Sequence, residues 1–184
     1  MIRPNGVDWQ ATVSPATPFD FNARPFILFW EITRACALAC RHCRAVAQPR
    51  PHPLQLDSDE SRAFIDQVAE LGPAMFVLTG GDPMLRGDLL DLIRYSAQER
   101  GLHTSLSPSA TPLLLRTDFA ALKAAGIQRL SLSLDGATRE THDAFRGLPD
   151  TFDRTLAAVA RAREAGIPRQ INTTIHKGNL HEFD

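Results

Sequence analysis

An α/β domain built around a parallel sheet is the fold class this sequence predicts. Three observations lead there. Short apolar or β-branched runs alternate with stretches of helical periodicity, the pattern of repeating βα units. Glycines close the helical stretches at Gly72, Gly101, Gly126 and Gly166, where left-handed caps would turn the chain into its next strand. The chain has 184 residues, 43% of them hydrophobic, enough for the core of one globular domain.

The elements follow in order. Residues 1–24 carry three prolines and little periodicity and read as an N-terminal extension, with the domain proper at 25–184. Residues 26–33, rich in aromatic and β-branched side chains, predict the first strand. Prolines 49, 51 and 53 keep the next connection extended. Asp57 followed by Glu60 has the spacing of a capping box, and Phe64, Ile65, Val68 and Leu71 continue at helical intervals. The unbroken apolar run 75–78 predicts a strand buried on both faces. Helices near 88–100 and 117–125 lead to strands at 102–106 and 129–134, and a helix at 152–165 leads to a fifth strand at 169–175.

Bulk properties exclude several functions. A net charge of −1 gives no electrostatic footprint for nucleic acid. No run of ~18 apolar residues predicts a membrane span, and the first residues lack the charged-then-apolar pattern of a secretory signal. Arg161 and Arg163 with Glu164 read as a solvated helix face, and no Ser/His/Asp constellation has supporting context. Three closely spaced cysteines make a poor disulfide framework, which points to a reducing cytoplasm.

Those cysteines carry the chemistry. Cys36, Cys40 and Cys43 lie in Cys36-Ala37-Leu38-Ala39-Cys40-Arg41-His42-Cys43 and are the only three in the chain. One loop can wrap three soft, anionic thiolates around a single inorganic centre. A zinc knuckle would need His42 or His52 as fourth ligand, at a spacing unusual for zinc. A four-iron cluster normally takes four thiolates, so three would leave one iron open to a non-protein ligand. Downstream, Gly80-Gly81-Asp82-Pro83 follows the second strand, and two glycines allow close backbone approach. Strand four ends in Ser133-Leu134-Asp135-Gly136, with Arg146-Gly147 beyond it; a guanidinium fork suits a carboxylate. Asn172 and Thr174 place two polar groups on strand five.

The Cys-x-x-x-Cys-x-x-Cys loop with Gly80-Gly81-Asp82-Pro83 resembles the radical S-adenosylmethionine (radical SAM) enzymes. The Ser133-x-Asp135-Gly136 strand end and Arg146-Gly147 are similar to the branch that carries a C-terminal SPASM domain. The resemblance implies a partial (β/α)6 TIM-like barrel, here with about five βα units and without the sixth unit or a SPASM domain. It implies a [4Fe-4S] cluster on Cys36, Cys40 and Cys43, with S-adenosylmethionine on the open iron. Reductive cleavage would then give a 5′-deoxyadenosyl radical that abstracts hydrogen from substrate. The cofactor contacts it implies are His42, Gly80, Gly81, Asp82, Pro83, Ser133, Asp135, Arg146, Asn172 and Thr174. Asp82 stands where the family usually has Glu, and Ser107-Pro108-Ser109 where it usually has Thr-Asn-Gly. The expected partners are a peptide or small-molecule substrate, as in peptide maturases and enzymes of haem biosynthesis, and an external flavodoxin- or ferredoxin-type electron donor. A non-catalytic metal or cluster-binding module, or an inactive fragment, is the alternative expectation.

Overall fold

The computed structural model describes residues 19–182. Most of the expected N-terminal extension, residues 1–18, lies outside the described residues. At its end Phe19 packs edge-on against Phe26, ring centroids 5.1 Å apart, beside the first strand.

Five strands form one parallel sheet in chain order: β1 (Ile27–Glu31), β2 (Met75–Thr79), β3 (Thr104–Leu106), β4 (Arg129–Ser133) and β5 (Arg169–Asn172). Six helices connect or follow them: α1 (Ser58–Leu71), α2 (Leu89–Arg94), α3 (Pro112–Arg116), α4 (Phe119–Ala124), α5 (Arg139–Arg146) and α6 (Thr151–Glu164). The sheet does not close: β1 and β5 pair on one side only. All four residues of β5 are exposed, as an unpaired edge leaves them.

Burial divides the faces of the sheet. Phe76, Leu78, Leu106, Leu130 and Leu132 are fully covered and meet Ile65, Ile93, Leu114 and Leu122 from the helices. Trp30 joins them, its ring 4.8 Å from Phe64 of α1. Each such aliphatic side chain contributes roughly 1.5–3 kcal/mol by leaving water. Ala158 and Ala162 are also fully buried, and their small side chains bring α6 close to the sheet. Across β1 the alternate residue Phe29 remains 60% exposed, on the opposite face.

The α1 capping box is present: Glu60 N–H donates to Asp57 Oδ1 (2.9 Å), and Asp57 N–H donates to Glu60 Oε2 (3.0 Å). Gly72 ends that helix in the left-handed conformation (φ 60°). Elsewhere the structure departs from expectation. The helix expected at 88–100 is α2 followed by a π-helical turn over Tyr95–Glu99. The helix expected at 117–125 starts two residues later, because Asp118 is its N-cap, accepting from Ala120 N–H at 2.8 Å. Strand β5 ends at Asn172, so Thr174 lies beyond it. Two helices, α3 and α5, are additional to those expected. Arg161 is not a solvated charge: its guanidinium donates to the carbonyls of Leu115 and Thr117 at the end of α3 and lies 4.6 Å over the Phe119 ring.

Arg86 holds the framework behind the site. All five of its N–H groups have acceptors: Asp88 takes two, and Ile32 O, Leu56 O and Ser61 Oγ take one each. Its side chain is 4% exposed.

Candidate active site

In a parallel βα array the loops after the strands gather at one end, the usual place for an active site. Here the loops after β1, β2 and β3 and the end of β4 border one basin of about 210 Å³. Cys36, Cys40, Cys43, His42, Ser133 and Arg146 line it, with the backbone of Gly80 and Gly81. A second hollow of about 240 Å³ lies beside β1, between Trp30, Arg34 and residues 52–56, and contains none of the cysteines.

Local contacts fix the cysteine loop. Its neck is closed by Cys36 N–H to Gln48 O (2.8 Å) and Gln48 N–H to Arg34 O (2.9 Å). Inside, Cys43 N–H donates to Cys40 O at 3.1 Å, a tight turn between the second and third cysteines. The end of α5 props the far side: Arg41 N–H donates to Phe145 O (3.0 Å), and His42 stacks on the Phe145 ring at 4.4 Å. His176 stacks on the other face of that ring at 4.2 Å. Gly147 fits beneath, since a Cβ there would stand 2.5 Å from Ala39 O. Burial pushes the His42 imidazole below its ordinary pKa, so it is neutral at pH 7.

The two glycines after β2 approach the protein's own backbone. A Cβ on Gly80 would meet Thr33 O at 2.2 Å, and one on Gly81 would meet Ala35 O at 2.3 Å. Two hydrogen bonds bind the loops at that contact: Gly81 N–H to Thr33 O (2.8 Å) and Asp82 N–H to Ala35 O (2.7 Å). The glycine pair therefore welds its loop to the segment entering Cys36.

Asp82 turns away from the basin and is fully buried. Its carboxylate accepts from Thr111 Oγ1 (2.7 Å), Met84 N–H (3.2 Å) and Ser109 N–H (3.4 Å). Burial pushes its pKa above the ordinary carboxylate range, with those bonds acting against it. Pro83, also buried, begins the 3-10 turn Pro83–Leu85 that Asp82 caps. Neither side chain lines the basin.

Asp135 too lies behind the site, 1% exposed. It accepts from Arg146 at 3.3 Å and from Thr174 N–H at 2.8 Å. Asn179, additional to the expected set, donates to Asp135 O (2.9 Å) and Thr174 O (2.8 Å), tying the exits of β4 and β5 together. Asp135 is the one acceptor of Arg146 among the described residues, so the rest of that guanidinium is available to the basin. Asn172 is exposed on β5 and accepts from Gln170, away from the basin lining. Glu31, Arg44 and Thr79 line the basin although the motifs did not single them out, and so does Ser109 of the Ser107-Pro108-Ser109 loop. Of these, Glu31 and Thr79 end their strands, a position that does signal the site.

His142 is completely buried behind Asp135. Its Nδ1 accepts from Asp135 N–H (3.0 Å), which leaves the proton on Nε2, where no partner is present among the described residues. Burial, aided by Arg146, holds its pKa below the usual 6.5, with Asp135 and Asp143 opposing. The unfolded chain thus binds a proton first as pH falls through about 6.5, and stability declines from there to the folded pKa. His142→Asn keeps an acceptor near the Nδ1 position and cannot titrate. Its urea midpoint should be flatter between pH 7 and pH 5 than that of the wild type; parallel curves would refute this role.

The three cysteines are free and half-buried. Burial pushes the Cys40 thiol up, with Arg146 pulling it down and Cys36 and Cys43 pushing further up, as neighbouring thiolates do. Among the described residues no three His, Cys, Asp or Glu side chains converge tightly enough for one metal ion. A zinc ion would need its sulfurs ~2.3 Å from one point. A multi-iron cluster takes each thiolate at a different iron, and three soft donors spread around one basin fit that larger group.

The sequence matches the description "Radical SAM superfamily" over residues 30–183. It is 43% identical over 169 residues to the AdoMet-dependent heme synthase of Nitratidesulfovibrio vulgaris, covering 92% of this chain and 46% of that protein. It is 34% identical over 161 residues to the PqqA peptide cyclase of Ruegeria pomeroyi, covering 87% and 42%. The chain thus spans about half the length of the curated relatives it matches. Streptococcus suis SuiB bound to S-adenosylmethionine superposes with a TM-score of 0.68 at 18% identity, over 87% of this chain and 36% of that one. Methylornithine synthase PylB gives 0.62 at 21% identity, over 82% and 45%. At those identities the structural likeness shows the fold alone. The sequence matches show the family: the chain belongs to the radical SAM superfamily.

Proposed function

We propose that this chain is the catalytic core of a radical SAM enzyme, with Cys36, Cys40 and Cys43 as ligands of a [4Fe-4S] cluster. The observation that carries the reading is the single basin shared by three free thiols, the Arg146 guanidinium and the Gly80-Gly81 backbone. When bound, the cluster supplies one low-potential electron for cleavage of the S-adenosylmethionine sulfonium. The protein groups bind and orient. Arg146, held by Asp135, takes the carboxylate of S-adenosylmethionine through its remaining N–H groups. Ser133 offers a hydroxyl from the end of β4, and neutral His42 a flat face beside Cys43. Asp82 and Pro83 fix the glycine loop, while Asp135, Thr174 and Asn179 fix Arg146.

The substrate is a tetrapyrrole or a peptide. Identity of 43% to a haem synthase against 34% to a peptide cyclase favours the tetrapyrrole. A flavodoxin- or ferredoxin-type protein in a reducing cytoplasm is the proposed electron source. Among the described residues no helix is long and apolar enough to cross a membrane.

The test is anaerobic. The chain, rebuilt with iron and sulfide and given S-adenosylmethionine and dithionite, should form 5′-deoxyadenosine only when reductant is present. Zinc at one per chain, with no product, would overturn the reading.

A further inference from the structure

The loop after β3, Ser107-Pro108-Ser109, is where this chain departs from the family it resembles, and it reaches the cysteines. Ser109 Oγ lies 3.5 Å from Cys36 Sγ and donates to Gly81 O at 2.9 Å. Ser109 is 6% exposed, so water competes little for its hydroxyl. Its position is set from two sides. Asp82 holds it through Ser109 N–H and Thr111 Oγ1, and Arg154 of α6 holds the next residue through Ala110 O (2.9 Å). Two donors therefore approach Cys36 Sγ, the Ser109 hydroxyl and Leu38 N–H at 3.4 Å. Among the described residues Cys40 and Cys43 receive none at sulfur.

We propose that Ser109 donates a hydrogen bond to the cluster-ligating sulfur of Cys36 and raises the reduction potential of the cluster. The inference rests on the cluster assignment proposed above. A cysteine bound to iron carries no proton, so the serine hydroxyl is the only donor across that pair. It has one proton and two acceptors, Cys36 Sγ and Gly81 O. A donor at sulfur withdraws electron density from iron and stabilises the more negative, reduced cluster. When the proton turns to sulfur, Gly81 O becomes a free acceptor at the edge of the basin. Ser109 is thus a positioning residue that joins the cysteine loop to the glycine loop through one rotating hydroxyl.

The test compares reconstituted wild type, Ser109→Ala and Ser109→Thr by iron and sulfide content and by redox titration followed with electron paramagnetic resonance. Ser109→Ala should keep its iron. At a fixed potential near the wild-type midpoint its reduced-to-oxidised ratio should fall about threefold to tenfold, the scale of a typical net hydrogen bond. Tenfold corresponds to about 59 mV for a one-electron couple. Ser109→Thr, which retains the hydroxyl, should restore most of the ratio. An unmoved midpoint in Ser109→Ala, or an equal shift in Ser109→Thr, overturns the proposal. So does loss of iron in Ser109→Ala, because the side chain would then hold the loop and not the potential. A wild type that takes up no iron and sulfide would instead defeat the cluster assignment itself.

Discussion

Cys40→Ala should lose the cluster and all formation of 5′-deoxyadenosine. Cys40 is the middle one of the three proposed ligands, and the chain has no fourth cysteine to replace it. Two thiolates, Cys36 and Cys43, would then face a group that needs at least three. Changes one shell further out already cost 10- to 100-fold in metal affinity as a rule, so a ligand loss should exceed roughly 100-fold. The thiol is also where burial and the Arg146 charge oppose each other, and in the proposed site iron would replace its proton. The fold should survive, because among the described residues the Cys40 side chain makes no hydrogen bond and lies in a loop. Iron analysis, product assay and a urea melt read the three consequences separately. Iron and product at wild-type levels in Cys40→Ala would remove the assignment.

Arg86→Lys should unfold the domain far more easily while leaving every cysteine in place. The lysine ammonium has three donors and no planar fork, so it cannot serve Asp88, Ile32 O, Leu56 O and Ser61 at once. Burial of an incompletely paired charge costs about 3–5 kcal/mol, a large share of the stability of a domain this size. Because Ile32 leads into the cysteine loop, cluster loading should weaken as well. Urea unfolding at pH 7 measures the first effect. A loss below about 1 kcal/mol would show that Arg86 is replaceable and that the loop entry is held by other contacts.

Local sequence foretold the elements that local physics controls. The α1 capping box, the Gly72 cap and the buried run Met75-Phe76-Val77-Leu78 all stand where periodicity and cap chemistry put them. Helix α5 was invisible to periodicity because Arg139–Arg146 contains little besides Ala144 and Phe145 that is apolar; Thr138 starts it by accepting from Thr141 N–H. Helix α3 is one short turn and half another, begun by Pro112. The same division holds in the site. Cysteine spacing alone gathered the three thiols, and Arg146 and Ser133 joined them at the basin. What lay beyond reach was long-range. Asp82 looked like a cofactor contact but meets Thr111 instead, and the glycine pair that suggests an approach to ligand is pressed against Thr33 and Ala35. None of these three partners lies near enough in sequence for a pattern to show it.

The strand order also bears on how the molecule is made. Each strand pairs with the one that precedes it in the chain, so no strand must wait for a partner synthesised much later. A chain emerging from the ribosome can add its βα units one at a time, each on an edge already present. The cysteine loop and the glycine loop meet once β2 is in place, but Arg146 and its Asp135 arrive two units later. The neck of the cysteine loop and its junction with the glycine loop can therefore form first, and α5 then brings the Phe145 prop and the positive charge together.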